Sequence, residues 1–113
     1  MMDILFRSKK FAKECNQQEL LVKRHGAQRA KLIRRRLDEL RAAANLEVMR
    51  ALPQARCHEL KGNRKGQLSV DLDHPYRLLF KPDQDPLPEK PEGGLDWGKV
   101  SSIEILGVED THG

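Results

Sequence analysis

Between positions 57 and 67 the chain reads Cys57-His58-Glu59-Leu60-Lys61-Gly62-Asn63-Arg64-Lys65-Gly66-Gln67. One imidazole and three cations fall within eight residues of that stretch. A second imidazole stands far along the sequence, in Asp110-Thr111-His112. An imidazole titrates near neutrality and can take up or deliver a proton. Lysine and arginine hold phosphate oxygens, arginine with a planar fork. Scission of an RNA strand by its own 2′-hydroxyl needs a base at that hydroxyl, cations around the five-coordinate phosphorus and an acid at the leaving 5′-oxygen. His58 and His112 are suited to the two proton transfers, and Lys61, Arg64 and Arg77 to the added negative charge. The requirement on the fold is convergence of these groups on one surface.

Other polar residues have plainer readings beside their functional ones. Arg64 and Lys65 fall in a turn, where a cation is solvated or meets a phosphate. Arg77, set among apolar neighbours, is either a site residue or a buried arginine paired with a carboxylate. Asp110 reads as an orienting or capping group rather than a base. His74 precedes Pro75 and reads as turn chemistry, and His25 precedes Gly26 and reads as helix-cap chemistry. Cys57 reads as a small core residue, since no base with an orienting partner accompanies it.

Several elements are expected to position these groups. Ile4-Leu5-Phe6 is a short strand. Ser8 starts a helical turn through Phe11 and Ala12. Asn16-Gln17-Gln18-Glu19 resembles a capping box ahead of Leu20, Leu21 and Val22. Gly26 then breaks the helix. Ala30, Ile33, Leu37, Leu40 and Ala44 recur at steps of three and four, which lays them on one stripe; Arg34, Arg35 and Arg36 fall largely off it. Asn45 caps a short helix, 46–52, closed by Pro53. Strands are expected at 56–61 and 67–73, the second with Leu68, Val70 and Leu72 on one face. A third, Tyr76-Arg77-Leu78-Leu79-Phe80, is apolar on both faces except at Arg77 and should be central. The last, 100–108, should carry Ile103 and Ile105 on one face and Leu106 and Val108 on the other.

The 113 residues suffice for a single domain, 1–113, with one modest core. Four prolines and a Gly93-Gly94 pair make an acidic Pro/Gly-rich loop at 82–99. The net charge of +4 is divided unevenly. Residues 7–36 hold eleven Lys/Arg against two Glu, a net of +9, whereas 82–113 hold two Lys against eight Asp/Glu, a net of −6. The basic part, Arg34 and Arg35 included, suits a polyanion such as RNA. There is no signal-peptide pattern and no apolar run of membrane-spanning length. Two cysteines, Cys15 and Cys57, without metal or redox spacing fit a reducing cytoplasm and predict neither disulfide nor metal site.

The run His58-Glu59-Leu60-Lys61-Gly62-Asn63-Arg64-Lys65-Gly66-Gln67, the strand Tyr76-Arg77-Leu78-Leu79-Phe80, and the ending Asp110-Thr111-His112, with a helical hairpin in front, resemble the HigB branch of the RelE/ParE toxin superfamily. The resemblance covers nearly the whole chain. It implies an α+β fold: a small curved antiparallel sheet covered on one face by an N-terminal helical hairpin. It implies a cytoplasmic bacterial toxin of a type II toxin–antitoxin pair that cleaves mRNA on the ribosome without a metal or other cofactor. It also implies a helix-turn-helix, HigA-type antitoxin, with operator DNA bound only through the complex. The family's strand histidine falls on His58, its lysine on Lys61, its core arginine on Arg77, and its Asp-Tyr-His on Asp110-Thr111-His112. Thr111 departs from that pattern, since a threonine cannot stack on a base or act as a phenol. Two alternatives share the scaffold: a ParE-like inhibitor of DNA gyrase, and a non-catalytic module that keeps only antitoxin binding and regulation. The imidazoles near cations favour the nuclease.

Overall fold

The structure is a computed structural model in which residues 1–111 are described. Strand β1 (Asp3–Phe6) leads into three helices, α1 (Lys9–Asn16), α2 (Gln18–His25) and α3 (Ala27–Ala42). The strands β2 (His58–Glu59), β3 (Leu68–Asp71), β4 (Tyr76–Pro82) and β5 (Ser102–Asp110) follow. Short 3-10 segments lie at Leu46–Ala51, Gly62–Arg64 and Trp97–Lys99. Among the described residues no helix is long and apolar enough to cross a membrane.

The fold is α+β, as the order of elements predicts, and β4 is central in a sheet ordered β1-β5-β4-β3-β2. The sheet is mixed rather than wholly antiparallel. β2, β3, β4 and β5 pair antiparallel in succession, but β1 runs parallel to β5. Tight connections make chain neighbours antiparallel; they say nothing of a first and last strand joined through everything between them.

The helices follow local chemistry. Ser8 accepts a hydrogen bond from the Phe11 amide and caps α1. Gly26 adopts φ 83°, a conformation L-residues rarely take, and separates α2 from α3. The capping box at Asn16 does not form. Asn16 ends α1, and Gln17 caps α2 without a side-chain hydrogen bond. Ala30, Ile33, Leu37 and Leu40 are buried as the stripe requires, whereas α3 stops at Ala42 and leaves Ala44 exposed. These residues pack with Leu68, Val70, Leu78, Phe80, Ile103 and Ile105 in one core, so the helices cover a single face of the sheet. Trp97 belongs to that core as well; it is buried within the stretch expected to be loop.

Arg36 lies in the same interior, 4% exposed, despite standing in a run of three arginines. Its Nε donates to the Asp71 carbonyl (2.7 Å), its Nη2 to the Gln54 carbonyl (3.0 Å) and its Nη1 to Glu39 (3.0 Å). One guanidinium thus ties α3 to the approach to β2 and to the end of β3.

The second half of β5 departs from simple alternation. Leu79 pairs with Gly107, but the next residue of β4, Phe80, pairs with Ile105. Leu106 is therefore a bulge. The extra residue reverses the facing of everything after it. Val108 returns to the core side, opposite Leu78, instead of sharing a face with Leu106. Glu109 is turned outward, opposite Arg77. Gly107 takes φ 143° at this bend.

Candidate functional site

The face of the sheet away from the helices is polar and built by register. Asp71, Arg77 and Glu109 form one row across β3, β4 and β5, and His58, Ser69, Leu79 and Gly107 form the next. A third row pairs Lys81 with Glu104, which Arg7 also reaches at 3.3 Å. Residues from 58, 77 and 109 meet here because antiparallel pairing carries each strand back past the last.

His58 is the best-defined member. Its Nδ1 lies 2.8 Å from the Arg56 carbonyl oxygen. A carbonyl only accepts, so Nδ1 carries a proton. Nε2 is 3.5 Å from Nη1 of Arg77, and a guanidinium only donates. In the neutral ring Nε2 therefore holds a lone pair directed towards a fixed cation. The geometry depends on Arg56, which has φ 44°, the single non-glycine residue with positive φ among those described. This uncommon backbone conformation aims the carbonyl at the imidazole.

Arg77 is held from its other side. Its Nε is 3.5 Å from Oδ1 of Asp71, and Nε of Arg56 is 3.6 Å from Oδ2 of the same carboxylate. Asp71 thus sits between two arginines, and its Oδ1 is buried without a hydrogen bond. Arg64, from the β2–β3 turn, reaches Glu109 of β5 at 2.7 Å. That bridge links the β2–β3 turn to β5, which β3 and β4 separate in the sheet. Ser69 and Leu79 are themselves fully buried.

The structure therefore gathers His58, Arg77 and Arg64 on one surface. Lys61 and Lys65 border it from the turn, exposed and with no ion pair among the described residues. Asp110 pairs across from Tyr76, one residue from Arg77 on β4, and is exposed. Arg34 and Arg35 are not brought here. They are exposed on α3, which packs against the opposite side of the sheet, beside Lys31 and Asp38. His112, the expected second imidazole, lies outside the described residues.

Three contributors were missed in the sequence: Asp71, Glu109 and Arg56. The polar phase of β3, Ser69 and Asp71 opposite Leu68 and Val70, marks Asp71 as lying on the non-core face. Its apposition to Arg77 needs the register, and Glu109 needs the bulge. Nothing local signals the backbone of Arg56.

Of the remaining candidates, the Cys57 thiol is pushed up to about 12 by burial, as is that of Cys15, so neither is a nucleophile near neutral pH. His25 is not chiefly a cap. It packs edge-on against Phe11, with Nε2 3.5 Å from Glu14. His74 precedes Pro75 in the turn between β3 and β4, joined to it by a cis peptide bond.

Such a surface offers a lone-pair nitrogen, a guanidinium at hydrogen-bonding range from it, and further cations at the rim. It can receive an anionic group and take a proton from a hydroxyl beside it. Set against models of known families and against curated proteins, the chain matches neither a family nor any curated protein.

Proposed function

We propose that the chain is an endoribonuclease of the RelE/HigB kind: the toxin of a type II toxin–antitoxin pair, cleaving mRNA on the ribosome by 2′-hydroxyl attack. The observation that carries the reading is the His58–Arg77 arrangement. The Arg56 carbonyl holds the proton on Nδ1 and leaves Nε2 to act as base beside a guanidinium. In this scheme His58 removes the 2′-hydroxyl proton, and the oxygen attacks the adjacent phosphorus. Arg77 and Lys61 stabilise the negative charge of the five-coordinate species. The bond to the 5′-oxygen breaks, that oxygen takes a proton, and a 2′,3′-cyclic phosphate remains. With His58 as the base, His112 is left as the other proton-transfer group, and Asp110 orients a neighbour or caps the strand end. Arg64 and Lys65 bind flanking phosphates, and a HigA-type antitoxin shields the basic surface or the site itself.

The experiment is induction of the chain in a bacterial host followed by mapping of transcript 5′ ends. Wild type yields new ends within translated codons. His58→Ala lowers cleavage by about 10²-fold or more, the ordinary size of a general-base contribution. Growth arrest that persists in a His58→Ala, His112→Ala double variant, with translation intact, would overturn the reading in favour of a gyrase inhibitor. Absence of both cleavage and arrest would leave the non-catalytic regulatory module.

A further inference from the structure

Next to His58 a hollow of about 390 Å³ opens on the outer side of β2, within the size range of small-molecule sites. Its floor is apolar, made by Met49, Leu52, Pro53 and Cys57, and its rim carries Arg50, Arg56 and His58. No carboxylate is among the lining residues, although Glu47 and Asp71 lie against Arg50 and Arg56.

Arg50 is the unusual member. Its guanidinium carbon stands 3.7 Å above the centroid of the Trp97 ring. Its Nε donates to Glu47 at 2.7 Å. Trp97 is itself fixed, buried and donating its Nε1 hydrogen to Glu59 at 2.9 Å. One face of the guanidinium plane is therefore occupied by the indole and one edge by a carboxylate. The side chain is still 54% exposed. A flat cation with one face on an indole, one edge on a carboxylate and the rest open above an apolar floor has less conformational freedom to lose on binding than an unsupported arginine.

Planar π-systems stack on arginine planes, and single-stranded RNA is bound in this way. We propose that Arg50, backed by Trp97, is a stacking shelf for a nucleobase of the bound RNA strand. The base rests over Met49, Leu52 and Pro53, and its phosphate runs to His58 and Arg77. The proposal rests on the RNA reading above. It adds a place where the nuclease reads a base next to the cut. The occupant is a base rather than a bare phosphate because the floor is apolar, and rather than an aliphatic side chain because the rim is cationic and one member is a plane.

Trp97 is the single tryptophan of the chain, so its indole N–H gives one isolated signal in a ¹⁵N-correlated NMR spectrum. The full chain is titrated with adenosine monophosphate, with ribose 5-phosphate and with inorganic phosphate. The nucleotide should move the indole signal saturably, with half-saturation on the order of 1 mM, and the two base-free phosphates should not. Arg50→Lys keeps the charge and removes the plane; it should weaken the nucleotide response about tenfold or more. An equal response to inorganic phosphate, an undiminished response in Arg50→Lys, or no response to nucleotide would each overturn the shelf. The same variant in transcript mapping separates this from the nuclease reading. If Arg50→Lys cuts the same positions at the wild-type rate, the shelf is refuted and the nuclease stands. If wild type makes no cuts, the nuclease reading fails, while the titration still decides whether a base binds.

Discussion

Replacing Arg36 is expected to be among the most destabilising single changes in this protein. Arg36→Met keeps most of the stem volume and removes the guanidinium. The carbonyls of Asp71 and Gln54 then lose donors at 2.7 and 3.0 Å, and Glu39 loses its ion pair. Gln54 still donates to Glu39 at 3.0 Å, so that carboxylate is not wholly stranded. Each buried acceptor left without a donor costs about 1–3 kcal/mol. Breaking a buried ion pair from one side costs about 3–5 kcal/mol. Partial access of water to the two carbonyls, which sit where β2 is approached and β3 ends, and the bond that Glu39 keeps to Gln54 bring the total somewhat below the sum's lower bound of about 5 kcal/mol, to about 4 kcal/mol. That is a large share of the roughly 5–15 kcal/mol that holds a domain folded. In urea, with a slope of about 2 kcal/mol per molar, the midpoint should fall by about 2 M. Arg36→Lys should lie between, because one ammonium cannot reach three acceptors spread around a fork. Arg34→Met, on an exposed neighbour, should change stability by less than about 0.5 kcal/mol. If Arg36→Met lost less than about 1 kcal/mol, comparable to a surface change, the interior placement of this guanidinium would be wrong, and with it the link from α3 to Asp71.

Four further outcomes are expected. Burial holds His25 below its ordinary range despite the opposing influence of Glu14, so the folded chain binds this proton less readily than the unfolded one. The stability associated with His25 is complete above about pH 6.5 and is lost as pH falls towards the lowered folded value; His25→Gln should flatten that part of a stability–pH curve. The Arg29 hydrogen bonds hold the Asp73 carboxyl below its usual range, so their stabilisation is full above about pH 4 and drains away below it. Asp73→Asn should lose about 1–3 kcal/mol at neutral pH and less in acid. Gly107→Ala should cost about 1–3 kcal/mol in chemical denaturation, because φ 143° suits glycine although no atom lies near the added methyl. Both thiols should react slowly with iodoacetamide at pH 7.5 in the native state and quickly in denaturant; rapid native labelling of Cys57 would contradict its raised pKa.

Much of the architecture was legible in local pattern. The Leu68-Val70-Leu72 alternation, the doubly apolar β4 and the three-four stripe of α3 each state which face goes inward, because burial follows the period of the element. The glycine at position 26 announces the break between α2 and α3, since it supplies a backbone angle other residues avoid. The clustering of His58, Lys61, Arg64 and Lys65 is likewise a property of the chain, as a single turn cannot separate them. What escaped local reading depends on partners distant in sequence. The parallel pairing of β1 with β5 joins residues about a hundred positions apart. Arg36 stands on the buried face of α3, between Ile33 and Leu40, while Arg34 and Arg35 do not; that two backbone carbonyls, of residues 54 and 71, would meet its guanidinium there could not be read locally.

The candidate site divides along the same line. The sequence alone determined which side chains capable of proton transfer and phosphate binding this protein owns, and that several of them share one turn. Only the tertiary structure decided that Arg77 would face His58, that Asp71 would stand between Arg77 and Arg56, and that one inserted residue at Leu106 would swing Glu109 onto this face and out to Arg64. A strand's side chains alternate by local geometry, but which of them meet is set by register, and register is settled by the packing of the whole sheet against its helices.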